Sequence, residues 1–445
     1  MKKILATLFI LLMAQLSAHA GKIDRTIFSS GINKEAVSIS VKDVSNGKTV
    51  YSLNAKAPKN PASTLKLITL SASVDTLGKD YQFSTKLYKS VNNDLYIKLG
   101  ADPFLTSFNI KKLFEIAKSK NIIEPKNIYI DDSIFDNVEW GEGWQWDDDL
   151  SPYMPKFSAY NLDGNLLKIV LVPTIKAKPV EIIPDKFYPV TFMNLVTTGD
   201  NYNLKISRNT NISPDMINLE GTIGKRTEIQ LPTPNPKLYF TLRVKDAIRA
   251  NKVNYYGKFT SKQTPTDKIY LVGEINNSMS FAIDEILKNS NNMVAETVFK
   301  LAGAKFSSSQ GNLKNSQNML NAYLEKIGLP SNSIKIVDGS GVSKNNLVTA
   351  DFMSEFLAKT YNSDITNSLA KAGEGTLSTR MLYFKDNLRA KTGTLSNVSA
   401  IAGYITARNG KVYAFDIMIN DPKSTSQEKK TLEEYILRDI YELRR

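Results

Sequence analysis

The 445-residue chain contains no cysteine, and its one histidine is His19. His19 lies in an N-terminal segment with the features of a cleaved leader. The absence of cysteine excludes disulfides, thiolate metal sites and thiol catalysis. Without a retained histidine, Ser-His-Asp and Cys-His mechanisms are excluded as well. Any proton carrier must then be a carboxylate, a tyrosine or a lysine. No metal or organic cofactor is expected. Beyond the leader, no run approaches the roughly 20 apolar residues that a membrane-spanning helix needs.

The leader reads Met1-Lys2-Lys3, an apolar run over 4–13, then Ala18-His19-Ala20. A basic start, a short apolar stretch and a small-x-small site describe a secretory signal peptide over 1–20, with the mature chain starting near Gly21. The expected location is outside the cytoplasm, periplasmic or on the cell-wall side. The chain has 42% hydrophobic residues, enough for a large core without disulfides. The formal net charge of +13 favours anionic partners. Outside the cytoplasm these are acidic lipids or wall polymers, allowing a peripheral membrane or wall association, and not nucleic acid. The lysines are scattered, so solubility alone also accounts for the charge.

Alternation over 37–41, the turn Ser45-Asn46-Gly47 and a return over 49–51 predict a strand hairpin. An apolar helix is expected over 65–77, ended near Gly78. Short strand-like runs follow at 86–88, 95–99, 128–130 and 167–172, with a helix over 110–120. Helices return at 240–250, 280–288, 293–304, 316–327 and 350–361. Strands over 388–394, 398–407 and 411–419 and a helix over 427–443 close the chain. One sheet shared by both termini accounts for this order. The division expected is 21–80 and 237–445 as one domain, interrupted by a β-rich insert over 81–236.

Ser63-Thr64-Leu65-Lys66 heads the apolar helix. Positions i and i+3 share a helix face, so the Lys66 amine points toward the Ser63 hydroxyl. A helix N-terminus favours a developing anion. Burial and a second cation lower a lysine pKa, making a neutral, proton-accepting amine possible. Ser-x-x-Lys also occurs at Ser45, Ser368 and Ser426, but only Ser63 opens an apolar helix after a hairpin. Ser290-Asn291-Asn292 falls between two helices, where a hydroxyl and an amide two apart can face a cleft or simply cap a helix. Lys391-Thr392-Gly393-Thr394 lies on a strand, where the glycine permits close approach of another backbone. Lys391 is also available as the second cation.

Ser-x-x-Lys, then Ser-x-Asn, then Lys-Thr-Gly is the set of penicillin-binding proteins and serine β-lactamases. In this order and context the chain resembles the penicillin-recognising enzymes. It is most similar to the class C low-molecular-mass D-alanyl-D-alanine carboxypeptidase/endopeptidase (peptidase S13) group. The long gap between Ser63 and Ser290 fits that group's inserted domains. So do the runs Asp102-Pro103, 143–148, 338–341 and Gly375-Thr376-Leu377 with Arg380. The middle motif carries Asn291 where many relatives have aspartate.

The resemblance implies an α/β (α+β) multi-domain fold: a β-lactamase/transpeptidase-like domain, an antiparallel sheet flanked by helices, with a β-rich insertion. It implies Ser63 as nucleophile, Lys66 as its base and Ser290 as proton relay. Asn292 would bind the substrate amide, and Lys391, Thr392, Gly393 and Thr394 its terminal carboxylate. The backbone N–H groups of Ser63 and Thr394 would form the oxyanion hole. The implied partners are peptidoglycan stem peptides, with β-lactam antibiotics as covalent inhibitors. A serine β-lactamase and a non-catalytic wall-binding homologue are the alternatives. Glu142 with Asp147-Asp148-Asp149 lacks calcium-loop spacing and reads as a solvated loop. Trp140, Trp144 and Trp146 offer either a sugar platform or packing between insert and catalytic domain.

Overall fold

The structure, a computed structural model, describes residues 21–183, 188–208, 213 and 215–443. The expected signal peptide lies outside the described residues. The central sheet is antiparallel and six-stranded, in the order Ala370–Lys371, Leu388–Leu395, Val398–Thr406, Val412–Asn420, Val37–Asp43 and Thr49–Leu53. Val37 pairs with Ile419 and Asp43 with Tyr413, so the N-terminal hairpin completes a sheet begun by the C-terminal strands.

Alternation along Val37–Asp43 implied one wet face, yet the whole strand is buried. Val37, Ile39 and Val41 pack in a core with Ile23 and Ile27 of the helical stretch 21–30 and with Leu432, Ile436 and Ile440 of the helix Ser426–Tyr441. The polar face is covered by the helix Ala350–Lys359. There the Ser354 hydroxyl donates to Ser40 Oγ at 2.7 Å, and Lys42 meets Asp351 at 2.9 Å. A helix supplying polar partners can thus cover a face that alternation alone would leave to solvent.

The helices Lys66–Leu77, Asn292–Ser307 and Leu313–Lys326 pack in the second, larger core. Lys66–Leu77 is buried from Lys66 to Ser73. Its hydroxyls are satisfied locally: Ser71 donates to the Leu67 carbonyl and Ser73 to the Thr69 carbonyl, each at 2.7 Å. That is how a serine- and threonine-bearing segment survives inside a core.

A five-stranded sheet follows in the order Phe259–Ser261, Ile128–Asp131, Leu95–Lys98, Gln82–Ser90 and Ile269–Ser278. Two three-stranded sheets lie between residues 166 and 232. No strand was expected between the helices at 240–250 and 280–288, yet Phe259–Ser261 and Ile269–Ser278 are strands. They pair with Ile128–Asp131 and Gln82–Ser90, across the expected end of the insert. A register shift between Leu271 and Gly273 breaks the alternation that would have announced the longer strand.

Asp416, on Val412–Asn420, is buried, and neither carboxylate oxygen has a partner among the described residues. Burial holds its pKa well above the usual 3.8, and the Glu433 carboxylate adds to the rise. A folded-state pKa above the unfolded one makes stability fall as pH climbs from about 4 toward the folded value. Asp416→Asn removes that slope. Urea unfolding should show the variant gaining stability at about pH 7 relative to its effect at about pH 4; equal effects at both would contradict a protonated Asp416.

Candidate active site

Ser63 sits in the single 3-10 turn Ala62–Leu65, which runs into the helix Lys66–Leu77. The preceding residue, Ala62, is held at φ +46°, a left-handed conformation costly for a residue with a Cβ. Asn60 braces it. The Asn60 side chain accepts from the Ala62 N–H at 2.8 Å and donates to the Ser343 carbonyl at 3.0 Å. Ser290, the loop residue of the second motif, is likewise left-handed, at φ +59°.

The Lys66 amine is fully buried and has three neighbours: Ser63 Oγ at 2.9 Å, Asn292 Oδ1 at 2.7 Å and the Ser340 carbonyl at 2.6 Å. Two of these can only accept, whereas the third is a hydroxyl that can donate. A neutral amine satisfies all three by donating to Asn292 and Ser340 and turning its lone pair on the Ser63 O–H. Burial pushes the Lys66 pKa down to about 7, against the opposing pull of Asp338 and Glu296. Lys391 is equally buried, and its pKa is lowered well below the ordinary lysine value by desolvation and then by Lys66. Two close ammonium groups disfavour double protonation.

Lys391 donates to Ser290 Oγ and to the Thr392 carbonyl, each at 2.8 Å. The second and third motifs are therefore in contact. The strand Leu388–Leu395 lies directly on the Ser63 turn. A Cβ added at Gly393 would sit 2.8 Å from Ser63 N and 3.0 Å from Ala62 Cβ. Only glycine permits that approach. Thr394, next in chain, is exposed, while Thr392 is buried and donates to Thr376 Oγ1 at 2.7 Å. Asn292 reaches beyond Lys66, its Nδ2 donating to the Tyr153 carbonyl of the insert at 2.8 Å. All eight candidate residues are thus gathered at one edge of the central sheet.

The role of the loop 338–341 was not legible in the sequence, although the run Asp338-Gly339-Ser340-Gly341 stands out as a turn. Gly341 has φ +79°, and a Cβ there would strike the Ala62 carbonyl at 2.0 Å. Asp338 is buried and accepts from the N–H groups of Gly341 at 2.8 Å and Ser343 at 2.6 Å. It also accepts from the Asn346 amide at 2.8 Å and the Trp144 indole at 2.9 Å. Trp144 packs edge-on to Trp140 and Phe157, and its bond to Asp338 ties that aromatic cluster to the loop 338–341. Trp146, by contrast, is exposed. Among the described residues no cluster of acids could hold a metal, and Asp149 pairs with Arg208.

The D-Ala-D-Ala carboxypeptidase 3 (S13) family matches residues 19–437. The chain belongs to that family. As a member it is a serine-type D-Ala-D-Ala carboxypeptidase, a hydrolase. It is 26% identical over 442 residues to the D-alanyl-D-alanine carboxypeptidase of an Actinomadura species, covering 92% of this chain and 82% of that one. It is 23% identical over 418 residues to the D-alanyl-D-alanine carboxypeptidase DacB of Haemophilus influenzae, covering 88% and 86%. The crystal structure of penicillin binding protein 4 from H. influenzae superposes with a TM-score of 0.81 at 22% identity, covering 91% of this chain and 96% of that one. The mixed α/β fold, with antiparallel sheets and helices, is thus shared.

Because Lys66 accepts a proton only when neutral, activity should rise with pH through about 7, the value to which burial lowers it. The second-order rate constant for acylation, followed by stopped flow against pH, should show an acid limb there. A rate already flat between about pH 5 and 8 would exclude Lys66 as the titrating base.

Proposed function

We propose that this carboxypeptidase cleaves the terminal D-alanine of peptidoglycan stem peptides through a Ser63 acyl-enzyme. The supporting observation is the Lys66 amine, enclosed by two obligate acceptors and the Ser63 hydroxyl. Lys66 takes the Ser63 proton as Oγ bonds to the carbonyl carbon of the penultimate residue. The resulting oxyanion is met by the backbone N–H groups of Ser63 and Thr394, donors of a kind worth about 10²–10³ in rate. Close packing of Gly393 on the Ser63 turn supports that pairing. Ser290, hydrogen-bonded to Lys391, relays the proton to the departing D-alanine amine. Lys391, Thr392 and Thr394 hold the terminal carboxylate, and Asn292 the peptide amide. Water then hydrolyses the ester with Lys66 again as base.

The same site opens a D-alanyl cross-link, an endopeptidase activity, when the leaving amine belongs to a second stem peptide. A β-lactam offers Ser63 a strained amide, and its ring-opened ester leaves no separate amine to diffuse away. A signal peptide over 1–20 and a cell-wall substrate together support a location outside the cytoplasm, on the periplasmic side.

Intact-protein mass after exposure to a penicillin tests this reading. The mature chain should gain one long-lived adduct equal to the drug's mass, and Ser63→Ala none. Loss of the adduct within seconds, with hydrolysed drug accumulating, would make the protein a β-lactamase instead. No adduct on folded protein would leave a non-catalytic wall-binding homologue.

A further inference from the structure

Glu296 lies one turn beyond Asn292 on the helix Asn292–Ser307 and is buried. Its carboxylate accepts from the Gly339 N–H at 3.0 Å to each oxygen and from the Ser340 N–H at 2.8 Å. The Ser340 carbonyl, on the next peptide unit, is the 2.6 Å acceptor of the Lys66 amine. The Gly339–Ser340 backbone cannot drift. Gly339 is wedged against Phe299 of the same helix, where a Cβ would come within 2.7 Å, and Gly341 lies against Ala62. One helix therefore holds the amine twice: directly through Asn292, and one turn later through Glu296 and the loop.

We propose that Glu296 is a positioning residue for the Lys66 base, acting through the Gly339–Ser340 backbone. The inference rests on Lys66 being the base. Nothing in the chemistry needs Glu296 to touch substrate. Its work is to aim the Ser340 carbonyl at one amine proton, so that the lone pair is left toward Ser63. Near-attack geometry is sensitive: a misplacement of about 1 Å can cost about 10²-fold in rate.

The groups facing Glu296 are Lys66 from its own helix, Asp338 from the loop and Lys300 one turn along Asn292–Ser307, while Lys391 faces Lys66 from the strand. Burial and then the Asp338 charge raise the Glu296 carboxyl above its ordinary value. The anionic fraction of Glu296 raises the Lys66 pKa, against the desolvation that lowers it. Replacing the carboxyl with a neutral amide removes that contribution, so Lys66 should lose its proton at lower pH. Glutamine also keeps one oxygen for the loop N–H groups.

The test compares parent, Glu296→Ala and Glu296→Gln by stopped-flow acylation with a fluorescent penicillin, per titrated active site and across pH. Acylation of the parent checks the function itself, apart from this inference. Glu296→Ala should acylate about 10–100-fold more slowly at the pH plateau. Glu296→Gln should recover most of that loss and move the acid limb to lower pH. Parental rates and an unmoved limb in Glu296→Ala would overturn the proposal. So would a Glu296→Gln as slow as the alanine variant with its limb unmoved, since packing alone would then be at stake. If the alanine variant fails to fold, the limb of Glu296→Gln decides, and an unshifted limb overturns it.

Discussion

The environment of one amine organises this protein. A buried ammonium is expensive, and burial lowers the Lys66 pKa to about 7 against the opposing pull of Asp338 and Glu296. Two fixed acceptors take the N–H groups of a neutral amine and orient its lone pair on Ser63. Each comes from a different element: Asn292 from a helix start, Ser340 from a loop. Lys391, on the neighbouring strand, is equally buried, and Lys66 adds to the desolvation that lowers its pKa well below the ordinary lysine value. The Ser63 hydroxyl thus faces an amine, with no histidine among the described residues.

Most of what surrounds the amine resists deformation. The turn at Ala62 is strained and is braced by Asn60. Gly341 and Gly393 let two further backbones close on it at distances no side chain would tolerate. Strain of this kind persists where surrounding contacts over-determine the conformation. Asp338 supplies several of those contacts by collecting four donors from the loop and the insert.

The segment between the first and second motifs is tied to this environment. Its Trp144 indole donates to Asp338, in the loop whose Ser340 carbonyl meets Lys66, and its Tyr153 carbonyl takes the Asn292 amide. The five-stranded sheet shares one continuous apolar core with the helix that follows Ser63. A shift at Trp144 or Tyr153 would be felt at the loop and at Asn292, both of which touch Lys66.

Local chemistry was legible in the chain: a hydroxyl and an amine one turn apart on an apolar helix, a Ser-x-Asn loop, a glycine-bearing strand, and a hairpin matched to C-terminal strands. These are short-range patterns that follow from helix and strand periodicity. The tertiary structure decided what periodicity cannot encode. Strand Ile269–Ser278 joins the five-stranded sheet because its partner is Gln82–Ser90, far away in sequence, and a bulge hides its alternation. Val37–Asp43 is buried on both faces because a distant helix supplies polar partners for Ser40 and Lys42. Ser340 and Glu296 belong to the site through backbone groups, which every residue possesses and no side-chain motif announces. The sequence determined which groups could do the chemistry; burial and long-range hydrogen bonding, which exist only once the chain is folded, decided how far the lysine pKa values fall and where the Lys66 amine points.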